Sequence, residues 1–570
     1  PVLLLRHAGG FYAVDNRCPH MGFPLDKGSV KDCILTCHWH HARFDLNSGG
    51  TFDQFADDVR AYPTELRGAS LWIDLAPRHD ERAHQIARLQ DGLERDIRLV
   101  EAKAAIALLD HDGDPRAPFR AGLLFGTRYR GAGWGQGLTM LTCFMNMLPH
   151  LDRDDRPRAL YHGLNAVSVE SFGTPPRFQI DPLPDGTADL PTLKRWFRQF
   201  IEVRDDEGAE RCVVSAVRAG ASSAEMADML FAAITDHRYI QIGHPADFAN
   251  KALEALDIAG WEHAEPVLAS LISGIARANR MEESNAWRNP IDLIEMLETS
   301  FEQIPASGAV GATARASGQH EWNGRVALAQ QLLSDNPQAN VDALLSALHD
   351  GATPEQLAGA VAYAAALRVA RFHTANEFGD WDTVLHTFTF ANAIQHAIRR
   401  IVDAAQDRAA PDATPDERAL PLLRGVFDAA MSVYLDRFLN TPAARLPNVE
   451  PNGAQSTAVL AEFLPLLDRQ QQVNQASEVI ARYVASGGDE SRLLATLGTA
   501  LTREDRDFHT IQTVEAAFAQ HALLHGTPEA THVLIAAARY LAAHAPTVRA
   551  EGQTFQIAER LHRGENLYEE

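Results

Sequence analysis

Two short segments near the start of the chain combine cysteine with histidine. The first is Cys18-Pro19-His20, and the second, sixteen residues further on, is Cys37-His38-Trp39-His40. Thiolate sulfur and imidazole nitrogen are ligands for zinc and for iron–sulfur clusters. The pattern C-x-H-(x16)-C-x2-H therefore predicts a metal centre with two sulfur and two nitrogen ligands.

Two kinds of centre use this donor set. A zinc ribbon also binds its metal through two cysteines and two histidines, although a first pair of the form C-x-H is unusual for zinc. In an iron–sulfur cluster, two imidazoles in place of two thiolates remove negative charge and raise the reduction potential. The second alternative would make the segment a carrier of single electrons.

The motif resembles that of the Rieske family, and Pro19, Gly22 and the segment Arg43-Phe44-Asp45 match the habits of that family. The resemblance implies a small β domain that holds a [2Fe-2S] cluster near its surface. It also implies the four ligands, which are Cys18 and Cys37 for the inner iron and His20 and His40 for the outer iron.

Three positions depart from the family pattern. His41 stands where the family usually has glycine, so it could crowd the second loop or compete as a ligand. Cys33 does not lie at either position where respiratory members have their extra disulfide, and it is expected to be a free thiol. Trp39 replaces a cysteine of those members, which favours the ferredoxin or oxygenase branch. We therefore expect a potential toward the lower end of the range of about −150 to +300 mV.

Residues 1–76 have the pattern of a small all-β domain. Strand-like runs cover 2–5 and 11–14 with a turn at Gly9-Gly10, then 34–36, 44–46, 59–63 and 71–73. The chain opens at Pro1 without an initiator methionine, so its first strand is expected to be truncated, with residues missing before Pro1.

The rest of the chain reads as helical, because apolar residues recur at three- and four-residue spacing. The predicted fold is multi-domain, with the β domain followed by a linker at 77–86 and an all-α domain at 87–570. Three to four divergent helical modules are expected. The predicted modules are 87–172, 190–304, 324–405 and 417–548. The predicted helices are 89–109, 224–234, 341–348, 356–369, 458–464 and 533–543. Between them, segments rich in helix-breaking residues, which we call joints, are predicted at 173–191, 305–324, 409–415 and 440–453.

The modules share local features. A glycine followed by Ser or Thr and then Glu or Gln, at 220–225 and 351–356, predicts one helix end and the capped start of the next. A third, looser copy lies at 487–491. An aromatic residue with basic or histidine neighbours follows each copy, which makes these segments candidates for a pocket wall. These aromatic residues are Tyr239, Phe372 and Phe508, with Tyr129 upstream as a fourth member.

The helical part also contains candidate catalytic residues. His373 and Glu377 would lie at i and i+4 on one helical face, and His386 follows in an otherwise apolar stretch. A tentative second metal site, a non-heme iron, would use these three together with His237, His244 and His509. The alternatives are an organic or flavin-type pocket lined by the same residues, or no site there.

Composition narrows the partners and the compartment. The net charge of −23 argues against nucleic acid or an anionic membrane, and no apolar run is long enough for a membrane span. Five scattered cysteines give no disulfide framework, which favours a reducing cytoplasm. No nucleotide-binding glycine motif and no Asp-x2-His-x4-His signature of ring-hydroxylating oxygenases is present, so the chain needs an external reductase or ferredoxin.

These observations favour an oxidoreductase in which a Rieske cluster feeds an oxygenase site for a small organic substrate, aromatic or polyketide-like. The segment His386-Thr387-Phe388-Thr389 is similar to questin-oxidase-like proteins, which open polyketide-derived rings with oxygen. The alternatives are an electron-transfer protein that docks a partner through its helices and a redox sensor. Substrate and oligomeric state stay open, with a homo-oligomer as one alternative.

Overall fold

The computed structural model describes residues 1–76, 80–184, 188–317, 322–407, 414–449 and 455–568. Its first part is built from short antiparallel strands in three small sheets, with the orders β1-β2-β6, β3-β4-β5 and β7-β8. The strands are β1 (Val2–His7), β2 (Gly10–Asp15), β3 (Ser29–Lys31), β4 (Ile34–Thr36), β5 (Arg43–Asp45), β6 (Ala61–Tyr62), β7 (Thr64–Arg67) and β8 (Ser70–Ile73).

Local sequence explains the first hairpin and the small core. Ala8 and Gly9 both have positive φ, 47° and 83°, as a two-residue turn between twisted strands requires. This turn lies one residue before the predicted position. The core beneath the sheets contains the side chains of Val14, Leu35 and Phe44 together with those of Cys18 and Cys37.

Helices make up the remainder, as predicted. Their bounds are α1 (Glu81–Arg95), α2 (Arg98–Asp112), α3 (Arg116–Tyr129), α4 (Gln136–Met147), α5 (Asp155–Ser171), α6 (Leu190–Glu202), α7 (Asp206–Arg218), α8 (Ser223–Ile234), α9 (His244–Ala259), α10 (Ala264–Ala269), α11 (Ile272–Ala276), α12 (Leu293–Phe301), α13 (Ile304–Ala316), α14 (Arg325–Leu332), α15 (Pro337–His349), α16 (Pro354–Ala370), α17 (Phe378–Asp407), α18 (Pro415–Ala419), α19 (Leu423–Leu435), α20 (Ser456–Ala461), α21 (Phe463–Leu466), α22 (Val473–Ala485), α23 (Glu490–Thr502), α24 (Phe508–Leu523), α25 (Pro528–Ala543) and α26 (Ala550–His562).

Several predicted boundaries are wrong. Residues 77–79 of the predicted linker 77–86 lie outside the described residues, and α1 already begins at Glu81 behind the N-cap Asp80. The single helix predicted at 89–109 is two helices, because Asp96 adopts a left-handed conformation with φ 51°. Helix α13 fills most of the joint predicted at 305–324, where residues 318–321 are not described. The helix predicted at 458–464 is divided between α20 and α21.

Parts of three other predicted joints, residues 185–187, 408–413 and 450–454, also lie outside the described residues. The helix starts that the repeated motif predicts are confirmed. Ser222 and Thr353 each form a reciprocal capping box, with Glu225 and Gln356. One continuous hydrophobic cluster contains residues from nearly all of the helices, and the division into modules stays a prediction. Among the described residues, the structure contains no helix with the length and apolar character needed to cross a bilayer.

Candidate metal centres

Two loops carry the first candidate centre. The first ligand loop, residues 16–23, follows β2, and the second, residues 37–42, joins β4 to β5. The Gly22 amide donates to the Cys18 carbonyl, and the Cys37 amide donates to the Ala42 carbonyl, both at 2.8 Å. Cys18 and Cys37 are only 3% and 1% exposed. Each cysteine therefore begins a closed loop and directs its sulfur into the core.

The two sulfurs face each other closely enough to share a hydrogen bond. That bond raises the pKa of the Cys18 thiol and lowers the pKa of the Cys37 thiol to about 6. Two buried sulfurs that face each other are the arrangement expected of two thiolates that ligate one metal ion.

The two histidines lie on the outer side of the same centre. The rings of His20 and His40 are 4.9 Å apart and nearly perpendicular, at 80°. Nδ1 of His20 is buried and has no hydrogen-bond partner. Burial, with the charges of His40 and Lys103, lowers the pKa of His20 to about 4, so its imidazole is neutral at pH 7. A buried, neutral, unpartnered nitrogen fits a metal ligand.

His41 occupies a position that favours glycine. Its φ is 63°, in the left-handed region, and its side chain is exposed. A non-glycine residue costs about 1–2 kcal/mol in this conformation. The second loop therefore accepts the unusual residue by directing it into solvent.

Residues 1–63 match the sequence profile of the Rieske [2Fe-2S] domain. The chain is 35% identical over 78 residues to the 3-phenylpropionate/cinnamic acid dioxygenase ferredoxin subunit of Escherichia coli (strain K12), which covers 13% of this chain and 74% of the relative. The N-terminal part of this chain belongs to the Rieske family. The Rieske donor set of two buried cysteines and two outer histidines is the one that the structure places together.

The chain is also 40% identical over 88 residues to human apoptosis-inducing factor 3. This match covers 15% of the chain and spans only 14% of that relative's length. No solved structure matches the chain significantly. The Rieske profile ends at residue 63, so the helical part has to be interpreted from its own geometry.

A second candidate centre lies among the helices. His244 begins α9, His386 lies in α17, and His509 lies in the first turn of α24. Their ligand atoms all lie within 4.8 Å of one another. We call these three residues the histidine cluster. Phe508, one of the repeated aromatic residues, packs beside it with its ring 5.8 Å from that of His244.

A strained loop brings His244 to this position. Tyr239, Gln241 and Ile242 have φ of 37°, 44° and 50°, and Gly243 follows with φ 95°. A Cβ atom on Gly243 would lie 2.8 Å from Cβ of Phe390 in α17. The loop can therefore approach α17 this closely only with glycine at 243. Consecutive left-handed residues of this kind persist where the surrounding structure fixes them, often at functional sites.

Two nitrogens of the histidine cluster have the spacing of neighbouring ligands around one ion. Nε2 of His386 lies 3.2 Å from Nε2 of His509. With a metal–nitrogen distance of about 2.1 Å, this separation corresponds to an angle of about 99° at the metal, between octahedral and tetrahedral values.

Burial keeps two of these imidazoles neutral. Burial, with the neighbouring His244 and His509, lowers the pKa of His386 to about 2, and burial with the neighbouring His509 lowers the pKa of His244 to about 4. Neutral imidazole is the form that binds metal.

Asp382 supports the histidine cluster from α17. Its Oδ2 lies 3.7 Å from Nδ1 of His509, and its Oδ1 accepts a 2.6 Å hydrogen bond from the Tyr540 hydroxyl. Carboxylates behind metal-binding histidines orient the ring and increase its basicity. Asp382 and His386 are also four residues apart in the same helix. The predicted i, i+4 pair, His373 and Glu377, lies nine residues earlier in the chain, so Asp382 was not among the predicted site residues.

The other predicted site residues lie elsewhere. His373 and Glu377 precede α17, which begins at Phe378, so the predicted helical i, i+4 pair is wrong. Glu377 is exposed, and Nδ1 of His373 accepts from the Ala375 amide. His237 is buried, and its Nδ1 lies 2.9 Å from Glu282.

A pocket of about 510 Å³ opens beside His244. Its wall combines aromatic and aliphatic side chains with a few polar ones, the composition typical of sites for small organic molecules. The residues that we use below are Trp134, Phe248, Ile275, Gln136 and Gln241.

A buried polar network continues inward from the histidine cluster along α9 and α24. Gln512 donates to Asp247, one turn after His509 and His244 respectively. One turn further, Lys251 is only 1% exposed, forms an ion pair with Glu515 at 2.6 Å and donates to Glu254 at 2.9 Å. Buried charges persist when they are paired in this way. Burial raises the pKa of Asp247 to about 7, so this carboxyl is partly protonated at neutral pH.

Proposed function

We propose that the protein is an iron–sulfur oxidoreductase whose Rieske domain supplies single electrons to a non-heme iron held by the histidine cluster. The observation that carries the proposal is the convergence of three imidazoles, from helices far apart in sequence, beside a pocket of suitable size for an organic molecule. Three imidazole nitrogens that leave other positions open suit iron that activates oxygen.

The chain's own residues have separate roles in this proposal. His244, His386 and His509 hold the metal, and the Asp382 carboxylate orients His509. When bound, the iron supplies oxygen activation, and the Rieske cluster supplies electrons one at a time.

The pocket supports a small, partly aromatic substrate. Trp134 and Phe248 offer aromatic faces, Ile275 offers an apolar one, and Gln136 and Gln241 can hydrogen-bond to hydroxyl or carbonyl groups. An aromatic or polyketide-like molecule has both kinds of surface. The similarity to questin-oxidase-like proteins stays a prediction.

We also propose an external reductase or ferredoxin as the electron donor. The Escherichia coli relative is named as the ferredoxin subunit of a dioxygenase, and in this chain a similar domain is joined to the helical part. All five cysteines lie among the described residues and none of them forms a disulfide, which supports a cytoplasmic localisation.

Iron analysis tests the proposal without knowledge of the substrate. The protein, purified and loaded with Fe(II) without oxygen, should contain more iron than the two atoms that a Rieske cluster accounts for. Replacing both His386 and His509 with alanine should remove the additional iron and leave the electron paramagnetic resonance signal of the reduced cluster unchanged. His373→Ala is the matched control, because this histidine lies outside the histidine cluster.

Each outcome decides between functions. Additional iron that disappears in the double variant and persists in His373→Ala supports the proposal. A wild-type chain that binds only the cluster iron contradicts it and favours a protein that transfers electrons, or senses redox state, without its own metal-based catalysis.

A further inference from the structure

The helical part contacts the first ligand loop between its two ligands. Nζ of Lys103, in α2, donates a hydrogen bond to the carbonyl of Pro19, the residue between Cys18 and His20. Burial lowers the pKa of Lys103, and the nearby Asp57 carboxylate opposes this shift. A cation from another domain is thus hydrogen-bonded to the loop that holds the cluster.

More positive than negative charge surrounds this contact. Lys103 interacts electrostatically with Arg17, Arg88 and Asp57. Nε of Arg88 lies 3.2 Å from the Asp57 carboxylate, and Nη2 of Arg88 donates to the Ala56 carbonyl at 3.0 Å. Arg88 is thus paired with Asp57 and, at 3.3 Å, with Asp91, whereas Lys103 is hydrogen-bonded to the ligand loop itself. Positive charge stabilises a site that gains an electron.

Contacts at the end of the chain fix the loop against the helices. Arg17 donates to the carbonyls of Leu561 and Glu565 at 2.9 and 2.7 Å. The ring of Tyr568 lies 5.4 Å from that of Phe23 and 6.0 Å from that of Trp39. The first ligand loop is thus held by α2 and by the segment that follows α26, which keeps Lys103 in place.

We infer that Lys103 raises the reduction potential of the Rieske cluster, so that the helical part helps to set the driving force of electron transfer. The inference depends on the cluster and the interface between the two parts of the chain. It does not require the histidine cluster to bind metal.

Redox titration of the purified full-length protein, followed by the electron paramagnetic resonance of the reduced cluster, tests the inference. At an effective dielectric constant of about 20, a unit charge within about 12 Å changes a one-electron equilibrium about tenfold. Lys103→Met should therefore reduce the equilibrium constant for cluster reduction about tenfold, which corresponds to about 59 mV toward negative potential. Lys103→Arg keeps the charge and should stay near the wild-type potential.

Asp57→Asn provides a test of opposite sign. The amide can still accept a hydrogen bond, and loss of the negative charge should shift the potential to more positive values. An unchanged potential in Lys103→Met with an intact cluster signal would overturn the inference, as would equal shifts in the Met and Arg variants. If Lys103→Met fails to hold the cluster, Asp57→Asn decides: a positive shift supports the inference and no shift overturns it.

The same titration in a His386→Ala background separates this inference from the proposed function. His386 belongs to the histidine cluster and not to the ligand loops. The shift caused by Lys103→Met should therefore be unchanged in that background, whether or not the histidine cluster binds iron. A shift that vanishes there would contradict an electrostatic effect of Lys103 on the Rieske cluster.

Discussion

Asp382→Asn should weaken iron binding at the histidine cluster without affecting the Rieske cluster. The carboxylate lies 3.7 Å from Nδ1 of His509, and a metal on the opposite ring nitrogen would be about 8 Å from it, given a metal–nitrogen distance of about 2.1 Å. The attraction between one negative and two positive charges at that distance is about 1–4 kcal/mol for effective dielectric constants of about 80 to 20.

The side chain of Asp382 is 25% exposed, so solvent screens part of this attraction and the loss should lie between the two limits. Loss of a carboxylate behind a ligating histidine typically costs about 10- to 100-fold in metal affinity. We expect a loss in that range, together with a weaker acceptor for the Tyr540 hydroxyl.

Equilibrium dialysis against Fe(II) without oxygen measures this affinity, with iron counted beyond the two atoms of the cluster. Asp403→Asn is a suitable control, because Asp403 is exposed on the same helix and the substitution makes the same change of charge. Binding by Asp382→Asn within about twofold of the wild type would refute the reasoning, since a supporting carboxylate is worth about tenfold or more.

Three further predictions concern other parts of the chain. Cys37→Ser should abolish the signal of the reduced Rieske cluster and leave iron binding by the histidine cluster intact. Gly243→Ala should lower the free energy of unfolding by about 1–3 kcal/mol in urea, because the new Cβ would lie 2.8 Å from Cβ of Phe390; Gly220→Ala, with a similar φ of 82° and no atom within 4 Å, shows the cost of backbone strain alone. Burial raises the pKa of Asp436 from 3.8 to about 7. Between pH 4 and 7 this carboxyl is therefore ionised in the unfolded chain and protonated in the folded one, so the free energy of unfolding falls by about 1.4 kcal/mol per pH unit. Asp436→Asn should therefore raise the melting temperature more at pH 8 than at pH 5, and an equal gain at both would contradict the raised pKa.

The first centre could be predicted because its information is local. Cys18, His20, Cys37 and His40 lie in two loops within one small domain, and their spacing is recognisable without any long-range contact. The capped helix starts at Ser222 and Thr353 were predictable for the same reason, since a capping box involves residues only three positions apart.

The second centre could be predicted only in part. His244, His386 and His509 were all candidates, but the sequence gives no sign that nitrogens of the last two, which are 123 positions apart, lie 3.2 Å from each other. Packing of α9, α17 and α24 decides that. His373 and Glu377 were grouped with them on the assumption that one helix includes both. Instead the Asp380 carboxylate accepts a hydrogen bond from the Glu377 amide, and the helix begins only at Phe378, after both residues.

The order of the helices separates the two centres. Lys103 contacts the ligand loop from α2; α2 packs on α5, α5 on α4, and α4 on α24, which carries His509. Each of these three contacts places helix axes about 8–10 Å apart. The aromatic rings of Tyr161 and His162 in α5 and of Phe144 in α4 lie along this route, with centroids 5.7 and 6.2 Å apart. These contacts form one continuous packed path between the two centres within one chain. The proposed function therefore has two possible routes for electrons, through this buried core or from the Rieske cluster of a second copy. Because the two ligand sets share no residue, variants that each lack one of them can be mixed to separate these routes.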